Sequence, residues 1–240
     1  MTLLREIKEA VSTYNRRLSY VAGDSAIRRI FDIEPRNENE RPTILLMRLE
    51  TTIFLFQAMT YKKPTPEIRT KLVKSEFAEY YWKLFEHNAR KPYELCREQS
   101  EDIVKRYDEA LYKLEISLRG DHGEVRRFPT FVSKLLHCGF PQGFPIRDQR
   151  SVKAMACLAK DNQLSLKRSS QNYLSRNYAG VVDFFLSLRR LLEKSEGNDV
   201  VARLEEFDYA SQNIARRFKV RNTWLRVIDK WLWLRGRQKR

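Results

Sequence analysis

The stretch Arg127-Phe-Pro-Thr-Phe-Val-Ser-Lys134-Leu-Leu-His137-Cys-Gly-Phe-Pro141-Gln-Gly143-Phe-Pro-Ile-Arg147-Asp148-Gln-Arg150 sets polar groups inside a tight frame of apolar residues, prolines and glycines. Its pattern predicts a short helix carrying Lys134. Pro141, Gly143 and Pro145 then turn the chain back, and a second helix opens at Asp148 in the N-cap position. A lysine and an aspartate fourteen residues apart on adjoining elements can meet in one cleft. As an N-cap, Asp148 holds a turn together; as a carboxylate facing a lysine, it can do chemistry, and the two roles are compatible.

Working outward, the chain reads as helical throughout. Leu3, Leu4, Ile7, Val11, Tyr14 and Leu18 recur at helical spacing and predict a first amphipathic helix. Ile33 to Pro42 reads as a loop and Thr43 to Met59 as a core helix. Ile68, Leu72, Phe77, Tyr80 and Leu84 give one further helix, and Pro92 suits the first turn of another. Ile103 to Leu118 marks a long face, broken at Gly120-Asp-His-Gly123. After Ala159, helices are expected over Tyr178 to Leu192 with a stop near Gly197, from the Asn198-Asp199 cap through Ile214, and from Val220 through Trp231. No window alternates with period two. The expected fold is all-α, one compact multi-helix unit over 1–240, with N-terminal helices at 1–119, the Lys/Asp core at 120–160 and C-terminal helices at 161–240.

Composition narrows the function classes. Of 240 residues, 46 are Lys or Arg against 31 Asp or Glu, a net charge of +15, which favours a polyanionic partner: nucleic acid or an anionic membrane. The last forty residues hold eleven Lys or Arg against four acids, an excess of seven. Cys96, Cys138 and Cys157 are sparse and form no C-x-x-C, so a zinc ribbon or four-cysteine iron–sulfur cluster is excluded, and free thiols in a reducing cytosol are expected. His87, His122 and His137 have no metal-site spacing, and no metal or cofactor is expected. The apolar run Ile44 to Met59 contains Arg48 and Glu50 and falls short of a bilayer span. Phosphate-binding glycine loops, a nucleophile elbow and the zinc-deaminase pattern are all missing. A metal-free Lys/Asp pair in a basic helical protein remains.

Ser133-Lys134-Leu-Leu-His137 followed by Phe144-Pro-Ile-Arg-Asp148-Gln-Arg150 resembles the core of the helix-hairpin-helix DNA glycosylases, and more closely bacterial proteins with the 8-oxoguanine DNA glycosylase fold. Trp224-Leu-Arg-Val-Ile-Asp229-Lys-Trp-Leu-Trp233-Leu-Arg-Gly236 resembles their closing helix. The match covers these two pieces only. It departs where the superfamily carries a Gly-x-Gly turn before its lysine: this chain reads Phe128-Pro-Thr-Phe-Val-Ser133, so the phosphate anchor is expected either to differ or to lie elsewhere, with Gly120 to Gly123 as a candidate.

The resemblance implies a DNA glycosylase that flips a modified base out of double-stranded DNA, acting as a monomer in the bacterial cytosol or nucleoid. It implies Asp148 as the essential carboxylate and Lys134 as candidate nucleophile. DNA contacts are expected from Arg147, Arg150, Lys153, Arg127 and His122, and a base pocket or wedge from Phe131, His137, Phe144 or Trp224. Divergent bacterial relatives add a defensive reading, with modified phage DNA as the target. The alternatives are an inactive helical nucleic-acid-binding protein and an adaptor for acidic partners. Core packing is the competing role for the tryptophans and for His137.

Overall fold

The computed structural model describes residues 2–56, 70–118, 128–160, 164 and 170–237, and every regular element among them is helical. Thr2 caps α1 (Leu3–Asn15), accepting from the Arg5 N–H, and Leu4, Ile7 and Val11 bury one face of it. The first helix ends earlier than its apolar spacing suggests. Arg16 and Arg17 break it, and Leu18 begins α2 (Leu18–Phe31) with its side chain 60% exposed. A 3₁₀ turn at Glu38–Glu40 leads into α3 (Arg41–Phe56), which buries Ile44, Leu45, Leu49 and Ile53. The rest of the expected core helix, from 57 to 59, lies outside the described residues.

The single helix expected through Leu72 and Leu84 is interrupted at Ser75, which precedes α4 (Glu76–Arg90). The Ser75 hydroxyl donates to the Leu72 carbonyl and closes that turn. Pro92 does not open a helix. It sits in an extended segment whose next residue donates its backbone N–H to Asn88 Oδ1, and α5 (Ser100–Leu118) begins later. Four helices follow: α6 (Pro129–Gly139), α7 (Gln149–Lys160), α8 (Gln171–Arg176) and α9 (Tyr178–Glu196). Gly197 ends α9 at φ 95°, a left-handed conformation that glycine adopts without penalty. Asp199 precedes α10 (Val200–Ser211), but pairs with Arg203 and makes no side-chain cap bond. The chain closes with α11 (Trp224–Arg237).

Three packing features place the cleft described below. First, α6 is pinned by Phe131, Val132, Leu135 and Leu136, all fully buried, with Pro129 in its first turn. Second, the 140–147 loop is held from several sides. Leu95 N–H donates to the Gln142 carbonyl, the Tyr178 hydroxyl to the Pro145 carbonyl and the Thr223 hydroxyl to the Pro141 carbonyl. A Cβ on Gly143 would lie 2.5 Å from Tyr93 Cβ, so only glycine fits that approach. Third, α11 packs along α7 so closely that a Cβ on Gly236 would sit 2.1 Å from the Arg150 carbonyl oxygen. Backbone and side chain are thus fixed on both sides of Asp148.

Candidate functional site

Ser133 explains why Lys134 and Asp148 meet. Its hydroxyl accepts the Arg147 backbone N–H at 3.0 Å and lies 3.2 Å from the Arg147 carbonyl oxygen, locking one residue before Lys134 to one residue before Asp148. Lys134 Nζ then stands 3.6 Å from Asp148 Oδ2, with both residues largely buried, at 7% and 9% exposure. Asp148 Oδ1 accepts the Ser151 N–H at 2.9 Å, so the aspartate is at once the N-cap of α7 and the lysine's partner.

The pair lines a cleft of about 170 Å³ whose other walls come from α1, α2 and α11: Tyr14, Tyr20, Asp24, Arg226, Asp229 and Trp233. Behind it runs a connected set of charges. The Ser151 hydroxyl donates to Asp229 Oδ1 at 3.0 Å, and Asp229 Oδ2 pairs with Arg226. Arg226 also binds the Tyr14 hydroxyl at 2.7 Å and Asp24. Next to Asp24, the fully buried Lys230 binds Asp208 Oδ1 at 2.7 Å and Asn15 Oδ1 at 3.0 Å. Sequence reasoning missed Tyr14, Tyr20, Asp24, Arg226 and Asp229 as cleft residues, and Trp233 as one. The one available signal was in α11, where Arg226, Asp229 and Lys230 interrupt an apolar run with too few gaps to make a solvated face.

Several expected site residues lie elsewhere. Phe131 and Phe144 are fully buried and Trp224 nearly so. Phe144 stacks edge-on with Tyr93, and Trp224 with Phe185, so the core takes these rings and none lines the cleft. His137 is buried with Nδ1 2.8 Å from the Phe144 carbonyl, which makes Nδ1–H the donor. It faces a smaller adjoining cavity of about 50 Å³. Arg147 is no surface cation: it is 5% exposed, with its guanidinium 5.6 Å from the Tyr107 ring centre. Arg150 and Lys153 are exposed on α7. His122 and Arg127, with the candidate phosphate anchor at Gly120 to Gly123, lie outside the described residues. Within those residues no three His, Cys, Asp or Glu side chains group as metal ligands, and no helix is long and apolar enough to cross a membrane.

Burial shifts two groups in opposite directions. Asp229 rises from an ordinary 3.8 to about 6, because burial outweighs the Arg226 charge and Asp148 adds a second carboxylate nearby. His137 falls from 6.5 to about 4, through burial and the same Arg226, against the Phe144 hydrogen bond. A carboxyl raised on folding binds its proton more tightly in the native state, so its contribution to stability is present below pH 4 and lost as pH rises to about 6. A histidine lowered on folding does the reverse, contributing above pH 6.5 and losing it as pH falls to about 4. The two offset in one window. Asp229→Asn is therefore expected to add a rise of stability from pH 4.5 to 6.5 relative to wild type, and His137→Gln a fall. Urea unfolding at both pH values checks this, and parallel wild-type and variant profiles would refute it.

No protein-family model matches this chain, and neither the curated proteins nor the solved structures contain a match to it.

Proposed function

We propose that the protein is a DNA glycosylase that excises a modified base, with Asp148 and Lys134 acting at the sugar of an extruded nucleotide. The observation that carries this reading is the 3.6 Å Lys134–Asp148 pair set in a cleft. N-glycosidic cleavage builds positive charge on the sugar, and a fixed carboxylate stabilises it electrostatically. The lysine amine attacks C1′, and the base leaves with the C1′–N electron pair and is protonated by water. The Asp148 carboxylate takes up a proton from the new C1′-bound amine and passes it to O4′ as the C1′–O4′ bond opens. The Schiff base so formed opens the way to strand cleavage. Flipping costs a few kcal/mol, which the basic surface offsets through phosphate neutralisation. Tyr20 and Trp233, half-buried, are the aromatic residues that line the cleft with Tyr14, in place of the buried Phe131, Phe144 and Trp224. Excision of modified bases from invading phage DNA is the biological setting this reading favours.

The test is whether free base appears, by mass spectrometry, when modified and unmodified duplexes are incubated with the protein. Binding without base release would favour the inactive nucleic-acid-binding reading, and absence of binding at moderate salt the adaptor. For the lysine, borohydride is expected to trap a covalent protein–DNA adduct that Lys134→Gln abolishes together with strand nicking. If no adduct forms and the Gln variant still releases base, water is the nucleophile and Lys134 only positions.

A further inference from the structure

At the mouth of the cleft, the Tyr20 and Trp233 rings meet edge to face, 5.5 Å apart at 90°. Three arginines from three elements converge on them. Arg17, before α2, lies 5.2 Å from the Tyr20 ring centre and donates to the Tyr20 hydroxyl at 2.9 Å. Arg237, at the end of α11, donates to the same hydroxyl at 3.0 Å and lies 4.6 Å from the Trp233 ring centre. Arg150, two residues beyond Asp148, lies 5.0 Å from that ring. All three are exposed, and among the described residues no carboxylate pairs with any of them.

Some other surface arginines have such partners, as Arg5 with Glu9 and Arg28 with Asp32, and others among the described residues, such as Arg90 and Arg190, do not. What sets these three apart is that they converge on two rings at one cleft. Three like charges around two rings repel one another, and cation–π attraction at an exposed site, about 0.5–1 kcal/mol each, offsets only part of that. An entering anion relieves the repulsion. Arginine presents five N–H donors in a planar fork suited to phosphate oxygens, and stacking against the rings holds that fork in place. The hydrogen bonds from Arg237 and Arg17 also outweigh the slight burial of Tyr20 and lower its pKa, as a positive local field should.

We propose that Arg17, Arg150 and Arg237 form a phosphate-binding rim that grips the nucleic-acid backbone beside the nucleotide entering the Lys134/Asp148 cleft. The rim takes the phosphate-anchoring part of the missing Gly-x-Gly turn, alongside the expected anchor at Gly120 to Gly123, which lies outside the described residues. It rests on the excision reading for its partner, a DNA strand with one nucleotide extruded, and on its own geometry for phosphate.

The experiment is the salt dependence of binding to a short fluorescein-labelled duplex bearing a tetrahydrofuran abasic-site analogue, which needs no base release. Each phosphate contact contributes about 0.9 to the slope of log affinity against log salt on B-DNA, so R17Q/R150Q/R237Q is expected to reduce the slope by between about two and three. R90Q/R176Q/R190Q removes the same charge, likewise unpaired among the described residues, from exposed sites on other helices, and its slope is expected to stay near wild type. Circular dichroism confirms that both variants are folded. Equal losses in the two triple variants, no change in the rim variant, or no binding by the wild type overturns the rim. If the slope falls as expected and no duplex releases a base, the rim stands and the excision reading fails. If base is released and the slope is unchanged, the reverse holds.

Discussion

Asp148→Asn is expected to lower base release by about two to three orders of magnitude, the usual effect of removing one preorganised electrostatic partner of a transition state. The substitution keeps the shape of the side chain. Asn Oδ1 can still accept the Ser151 N–H that caps α7, and asparagine caps a helix nearly as well as aspartate. What changes is the second oxygen: an amide NH₂ would face Lys134 Nζ where a carboxylate oxygen stands now. Lys134 retains Asp229 nearby as a negative neighbour, so the stability loss is expected at about 1–3 kcal/mol, short of unfolding. Single-turnover base release, with circular dichroism and duplex affinity on the same preparation, separates the two effects. An Asn variant that excises at the wild-type rate leaves Asp148 as a helix cap and nothing more. Loss of excision with folding and binding intact assigns it the electrostatic role.

The parts of this molecule that could be read in advance are those written locally. Lys134 and Asp148 were legible as a pair because the helix start at Pro129, the glycine turn at Gly143 and the Ser133 bond back to Arg147 all lie within one stretch, although Tyr93, Leu95, Tyr178 and Thr223 hold the loop from outside it. The all-helical class followed from periodicity. Residues with long-range partners were illegible for the same physical reason. Arg147 looks like a surface cation beside Asp148, but the Tyr107 ring, forty residues away in the chain, receives its guanidinium. Phe131, Phe144 and Trp224 carry the right chemistry for a base pocket, yet an apolar ring is drawn first to the core. The cleft walls join Tyr14, Tyr20 and Asp24 near one end of the chain to Arg226, Asp229 and Trp233 near the other, and no spacing rule spans that distance. Leu18 shows the limit of periodicity itself: the helical pattern continues through it, while Arg16 and Arg17 turn the chain.

Lys230→Met is expected to cost about 3–5 kcal/mol, the effect of stripping one partner from a buried ion pair. Lys230 and Asp208 are both at 0% exposure and 2.7 Å apart. Asp208 is otherwise well bound, accepting from Asn15, Gln212 and Asn222. Its acidity is nonetheless enhanced: burial raises its pKa, but Lys230 and these hydrogen bonds together lower it below the ordinary 3.8. Lys230 also lies 3.5 Å from Asp24 Oδ2, so its loss leaves Asp208 without a cation and Asp24 with Arg226 alone, whereas Asp208→Asn leaves Lys230 with Asn15 and Asp24. The lysine variant should therefore be the less stable of the two, and the double variant less destabilised than the sum, since each single change strands the other partner. The pH dependence follows from the same geometry. In the wild type, Asp208 contributes stability above pH 3.8 that is lost as pH falls through its depressed pKa. Without Lys230, burial is opposed only by the hydrogen bonds, so the carboxyl's pKa rises relative to wild type and the variant loses less stability than wild type as pH falls. The gap between wild type and Lys230→Met should accordingly narrow from pH 7 to pH 4.5 in urea unfolding. A gap that is constant across this range, or below about 1 kcal/mol at pH 7, would mean that the pair sits in water and that the charges behind the cleft do not hold α1, α2, α10 and α11 together.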